Sequence, residues 1–282
     1  MPMHTDIERV ETLSWDGLHD RYLARNRPVI VTGHRAIREA ATRWSLDYLV
    51  EQHPDHEVSV EFYPDGDRNQ PWSYRGMTLG EYVSLIRTTR ERPRYYLAQK
   101  PLGEVLPNLA RDVPPPAFLD HVNETEPVVF LGVDTYTSAH YHHAPREAAL
   151  MQIVGRKKVV LCPAERYRYF YPCAWFSERP NWSTVPFTSP MGDMKDSEPG
   201  WMPEDAASRF PKLGKAHVSE CVLAPGELIF IPQGWFHIVY GLGESISVTY
   251  FWHGSWRNGH WRVALRDGLS IIRKQYLRRS KR

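Results

Sequence analysis

Positions 121–255 are dominated by short apolar runs, at 127–132, 149–154, 157–162, 221–223, 227–231 and 245–252, each cut off by glycine, proline or charged residues. Runs of this length predict the strands of an antiparallel sandwich or barrel. The first hundred residues mix two periods. Ser14 predicts the cap of a short helix with Trp15, Leu18 and Tyr22 on one face, and Ser45 opens a second helix running to Leu49. Thr78-Leu79-Gly80-Glu81 is a capping-box pattern ahead of Tyr82, Val83, Leu85 and Ile86, while 28–32, 57–63 and 94–99 predict strands. Both periods fail between 171 and 218, where Trp175, Trp182, Pro186, Pro190, Pro199 and Trp201 punctuate a polar stretch. So long an irregular insertion predicts a lid or binding loop. From Trp261 the helical period returns, with Leu265, Leu269, Ile272 and Tyr276 on one face and Arg262, Arg266, Arg273, Lys274, Arg278 and Arg279 on the other. This spacing predicts an amphipathic helix docked on the domain with its basic face in solvent, or, alternatively, a homodimer joined through the apolar stripe.

The expected organisation is a single, mainly β domain over 1–282. An α/β flank covers 1–120, the β core 121–255 with the lid at about 171–218, and a C-terminal helix 256–282. A chain of 282 residues is long enough to build a core without disulfides. Its 35 basic and 33 acidic residues leave a net charge of +2, which argues against a general nucleic-acid binder. Cys162, Cys173 and Cys221 are an odd number with no CxxC spacing, so neither a disulfide framework nor a zinc ribbon is expected, and a reducing, cytoplasmic setting is the default. No apolar run approaches the roughly 20 residues that span a bilayer, and residues 1–8 lack a basic segment followed by an apolar one; no membrane partner is expected. There is no GxSxG, Walker loop or GxGxxG, so hydrolase and nucleotide-cofactor chemistry find no support.

Two histidine-bearing segments carry the candidate chemistry: Ser138-Ala139-His140-Tyr141-His142-His143, and Gly226 to His237 through Pro232-Gln233-Gly234-Trp235-Phe236. Residues i and i+2 of a strand share a face, so His140 and His142 can converge on one ion, and His237, at the end of an apolar strand, supplies a third imidazole. The pattern predicts a three-ligand metal site.

These segments, together with Arg27-Pro28-Val29-Ile30-Val31-Thr32-Gly33, Trp44 to Leu49, Tyr95-Tyr96-Leu97, Gln152 to Lys158 and Phe251-Trp252, resemble in order and spacing the JmjC and cupin-like group of iron(II)- and 2-oxoglutarate-dependent oxygenases. The resemblance implies a double-stranded β-helix, or jelly roll, with one iron at its open end. It implies metal ligands at His140, His142 and His237. Thr137 stands where the family often has a hydroxyl contacting the cosubstrate, and Lys157 where a lysine pairs with the far carboxylate of 2-oxoglutarate. Tyr96 falls where a tyrosine hydroxyl reaches the same carboxylate. A buried dicarboxylate needs such a cation and donors, because an unpaired buried charge is costly.

Two positions depart from the family pattern. His142 replaces the usual aspartate or glutamate, and Ala148, Ala149 and Leu150 occupy the stretch where relatives often place an asparagine. His143 through a strand bulge, or Glu147 folded back, are alternative third ligands. A register slid by two would put Ala144 in the acidic place, as in the iron halogenases. The resemblance therefore implies an iron(II), 2-oxoglutarate-dependent hydroxylase acting on a peptidyl side chain, an amino acid or a small natural product. The alternatives are a three-histidine dioxygenase without 2-oxoglutarate, or a silent metal-binding module.

Overall fold

A computed structural model describes residues 6–64, 70–88, 94–122, 125–187, 202–203 and 205–279. Pro190, Pro199 and Trp201 of the insertion lie outside the described residues, as do the side chains of Arg278 and Arg279.

Eleven strands are present among the described residues: β1 (Arg9–Val10), β2 (Val29–Val31), β3 (Glu57–Phe62), β4 (Ser73–Thr78), β5 (Tyr95–Pro101), β6 (Glu126–Val133), β7 (Tyr136–His140), β8 (Arg146–Cys162), β9 (Ser219–Leu223), β10 (Leu228–Ile231) and β11 (Phe236–His253). Most pairings between them are antiparallel; β1 with β2 is parallel. β8 and β11 are long, 17 and 18 residues, and each passes through two layers. Their halves carrying 146–154 and 246–253 pair in the larger layer, ordered β1-β2-β10-β8-β11-β6-β5-β3-β4. Their halves carrying 156–162 and 236–242 pair in a smaller layer between β7 and β9. The two layers close over one another as a jelly roll of the double-stranded β-helix type.

The apolar runs follow from this arrangement, because the larger layer is covered on both faces. Along β8, Ala149, Met151 and Ile153 pack under the helices while Ala148 and Leu150 face the roll's interior. The helices are α1 (Trp15–Leu18), α2 (Arg35–Arg43), α3 (Leu46–Gln52), α4 (Leu79–Thr88), α5 (Leu102–Val105), α6 (Ala206–Arg209) and α7 (Trp261–Arg279). Ser14 and Ser45 accept from the backbone N–H of Gly17 and Tyr48, and Thr78 and Glu81 form the reciprocal capping box.

Four features differ from the sequence pattern. The runs at 149–154 and 157–162 are one strand, bent at Gly155, whose φ of +68° suits glycine. His237 does not end the 227–231 run; a turn at Pro232-Gln233-Gly234-Trp235 intervenes, and it is the second residue of β11. α2, capped by the His34 ring and burying Ile37 and Ala40, and β4, exposed over most of its length, carry too few apolar residues to have announced themselves. The apolar stripe of α7 is not its docked face: Val263, Asp267 and Ser270 are buried, while Leu265, Leu269, Ile272 and Tyr276 face outward.

Candidate metal centre

β7 begins beside β11, with Tyr136 opposite Tyr240 and Thr137 opposite Val239, then slips so that His140 faces His237. Three residues of β7 thus answer two of β11. This bulge turns Thr137 and His140, three apart, toward the same cavity, which a regular strand would forbid. His142 follows two residues later, just past the strand end. Segment 181–183 pins this stretch from outside: Tyr141 N–H donates to Asn181 O at 3.0 Å, Asn181 Nδ2 to Tyr141 O at 2.7 Å, and Ser183 N–H to Ala139 O at 2.9 Å.

The result is a convergence of three imidazoles. Potential ligand nitrogens of His140, His142 and His237 all lie within 4.8 Å of one another. Nδ1 of His140 lies 2.8 Å from Ser138 O, and Nδ1 of His237 lies 3.1 Å from Trp235 O. A carbonyl only accepts, so both Nδ1 atoms carry the proton and both Nε2 lone pairs are free. Nδ1 of His142 is buried with no hydrogen-bond partner among the described residues. Burial lowers all three ring pKa values, those of His142 and His237 well below the ordinary range; repulsion from the neighbouring rings adds to the shift at those two, and repulsion from His143 at His140. Three neutral imidazoles with free lone pairs fit a divalent metal ion.

The alternative ligands are engaged elsewhere. His143 Nδ1 bonds Asp267 Oδ1 at 2.8 Å. Glu147 accepts the backbone N–H and the side-chain Nε2 of Gln233, each at 2.8 Å, and burial lifts its pKa to about 7. Ala144 packs in the outer cavity wall and offers no ligand atom.

Behind the histidines a narrow inner pocket of about 70 Å³ is lined by Tyr96, Thr137, Lys157 and Thr249, among others. Lys157 is 2% exposed, and its ammonium donates to Ser247 Oγ; no carboxylate meets it among the described residues. Burial alone lowers its pKa to about 7. Lys158, one residue on, points outward and pairs with Glu220 at 2.8 Å. In front lies a wider cavity of about 450 Å³, walled by Tyr63, Trp72, Trp182 and Arg146. Trp72 stacks on Tyr63 and on Trp182, and Arg179 sits over both indoles.

A family model described as a cupin-like domain matches residues 15–258, most of the chain. The chain belongs to the cupin-like domain family. Among curated proteins it is similar to lysine-specific demethylase 8 of Xenopus tropicalis, 29% identical over 255 residues, covering 88% of this chain and 53% of that protein. It is similar to lysine-specific demethylase JMJ30 of Arabidopsis thaliana, 28% identical, covering 87% and 54%. It is also similar to tRNA wybutosine-synthesizing protein 5 of Danio rerio, 26% identical, covering 89% and 74%. The chain thus spans about half the length of the first two.

In this cupin-like domain, the sequence pattern missed Ser247 and Thr249. Both are buried at alternate positions of β11, and Thr249 Oγ1 has no partner among the described residues. Thr249 lies opposite Leu150 and returns a hydroxyl to the wall where Ala148 and Leu150 contribute none. The signal was the alternation Ser245, Ser247, Thr249 within an apolar run, polar residues on one face of a strand that is otherwise core. Cys162 and Cys221 are buried thiols whose pKa burial raises, to about 12 for Cys221; they are inert packing groups. No helix among the described residues is long and apolar enough to cross a membrane.

Proposed function

We propose that this cupin-like domain is a non-haem iron(II), 2-oxoglutarate-dependent oxygenase that hydroxylates a C–H bond of a peptidyl side chain, an amino acid or a small natural product. The observation that carries the reading is Lys157: a buried ammonium that meets no carboxylate among the described residues, opening into the same pocket as three neutral imidazoles. An isolated buried cation is strongly unfavourable, so the pocket calls for an anion. A divalent ion held by neutral ligands keeps its full +2 charge, and a dianion between it and Lys157 offsets most of the total.

In this reading His140, His142 and His237 hold the iron. Lys157 and Ser247 hold the far carboxylate of 2-oxoglutarate, and the hydroxyls of Tyr96, Thr137 and Thr249 are the nearby donors. Iron(II) and 2-oxoglutarate together supply the power to activate dioxygen and oxidise a strong C–H bond. The chain's contribution is position and dryness. Ile231, Val239 and Phe251 exclude water from the inner pocket, and the Tyr63, Trp72 and Trp182 wall orients the substrate in the outer cavity. The relatives named as demethylases favour a side chain presented on a polypeptide. The exposed stripe of α7 supports pairing with a second copy, and three free thiols suit a reducing, cytoplasmic setting.

The test is anaerobic loading with iron(II) followed by 2-oxoglutarate. A visible charge-transfer band in the wild type that is lost in Lys157→Met, followed by substrate-stimulated succinate formation, is the expected result. A second reading is favoured by the all-histidine donor set, which lacks the carboxylate that usually lowers the metal's charge: a dioxygenase that takes dioxygen into its substrate without 2-oxoglutarate. Stoichiometric iron with no band, and turnover without cosubstrate, would select it. Absence of turnover with any metal would leave a binding module.

A further inference from the structure

α7 lies against the ligand-bearing segment, and at the contact it buries a carboxylate. Asp267 is fully buried and accepts three hydrogen bonds, each 2.8 Å: Oδ1 from the Tyr141 hydroxyl and from His143 Nδ1, and Oδ2 from the Ala144 backbone N–H. These donors belong to the residues immediately before and after His142 and to the next one on. His142 itself makes no such bond through Nδ1, and it is the one imidazole of the three beyond the strand ends. The other ties on this stretch go to its backbone alone, from Asn181 to Tyr141, from Gly234 N–H to the His142 carbonyl at 3.1 Å and from Arg146 N–H to the His143 carbonyl at 2.8 Å; Asp267 is the side chain that grips it on both sides of His142. The neighbouring residue of the helix reaches the same region: Arg266 donates to the carbonyls of Cys173 and of Pro180, the latter at 2.7 Å.

We propose that Asp267 is a positioning residue for the metal centre, fixing the His142 imidazole by clamping its flanking residues, so that the C-terminal helix is part of the metal site. The inference rests on the three-histidine reading above. A carboxylate with three charge-assisted bonds holds the segment more firmly than neutral contacts would. Groups that orient a metal ligand typically cost about 10- to 100-fold in metal affinity when removed. Because Asp267 acts on the residues beside His142 rather than on the ring, the loss expected for Asp267→Ala is near the lower end of that range.

The experiment is titration of the metal-free full chain with cobalt(II), read as affinity and as the visible ligand-field spectrum, in wild type, Asp267→Ala, Asp267→Asn, Tyr141→Phe and Ser270→Ala. Ser270 is buried on the same face of α7, one turn away, and accepts none of the three hydrogen bonds that Asp267 receives. Expected are an about 10-fold weaker affinity with an altered spectrum for Asp267→Ala, and smaller losses in the same direction for Asp267→Asn, which keeps one acceptor, and for Tyr141→Phe. Ser270→Ala should match the wild type. Tyr141→Phe keeps the test decisive if the Asp267 variants fail to fold. Wild-type affinity and spectrum in the Asp267 variants, or equal loss in Ser270→Ala, would overturn the proposal while leaving the three-histidine reading intact. Wild-type protein whose cobalt binding is unaffected by His237→Ala would overturn that reading and this proposal together.

Discussion

At the scale of single residues, two adjacent lysines on β8 have opposite fates because strand side chains alternate. Lys158 meets Glu220 on the outer side of the layer, and Lys157 enters the roll, where it meets the Ser247 hydroxyl and the face of the Phe130 ring. Its pKa of about 7 in the folded protein against 10.5 when free has a definite thermodynamic sign. Between these values the unfolded chain binds the extra proton, so the lysine's penalty is full below about pH 7 and fades as pH rises toward 10.5. Lys157→Met is therefore expected to raise the melting temperature of the ligand-free protein, most clearly at pH 6–7, and to abolish stabilisation by 2-oxoglutarate; differential scanning fluorimetry across pH reads both. A variant that melts lower than wild type at every pH would mean the ammonium is already compensated. Thr249→Val tests the orphan hydroxyl in the same pocket. It should weaken 2-oxoglutarate binding several-fold by calorimetry while leaving cobalt(II) affinity unchanged, whereas parallel loss of both would assign Thr249 to packing.

At the scale of elements, the decisive event is the bend that carries β8 and β11 from one layer to the other. The Gln152 side chain sits inside the bend and donates to the carbonyls of Val154 and Gly155 and to Ser245 Oγ, at 2.6, 3.1 and 3.1 Å. Gly155 has positive φ, and a Cβ there would collide with the Glu244 carbonyl. Gly155→Ala is expected to destabilise by about 2–4 kcal/mol, combining backbone strain with a steric clash, and to unfold at lower urea with an unchanged slope. Midpoints within error of wild type would show that the bend relaxes easily. The capping residues and the helical faces of α1, α3 and α4 were legible in the sequence because caps and periodicity are local. The bulge in β7 was not, since whether a strand carries an extra residue depends on its partner; that bulge is why Thr137 and His140 share a cavity.

At the scale of the whole molecule, α7 has two faces with different work. Its buried side, through Asp267 and Arg266, ties the C-terminus to the segments around the histidines. Its other side presents Leu265, Leu269, Ile272 and Tyr276 at four-, three- and four-residue spacing, with Ile272 and Tyr276 65% and 71% exposed. That spacing matches the seam by which two helices pair, and an apolar stripe of this kind ordinarily finds a partner. A dimer is expected by light scattering, converted to monomer by Leu265→Lys with Ile272→Lys at little cost in melting temperature of the monomer; a monomeric wild type at tens of micromolar would refute it.

The sequence by itself determined short antiparallel strands, the capped helices and a pair of histidines spaced for one strand face, because alternation, capping and turn residues are short-range signals; the jelly roll and the role of Lys157 came from the family resemblance of its motifs. Only the tertiary structure decided which nitrogens meet, that His143 and Glu147 turn away to Asp267 and Gln233, that Ser247 meets Lys157 while Thr249 lines the inner pocket, and which face of α7 is buried. Each of these depends on pairing between segments about a hundred residues apart. A buried polar group such as Asp267 reads in a one-dimensional pattern as one more charge on the solvent face of a helix. Its partners identify it, and folding alone brings them together.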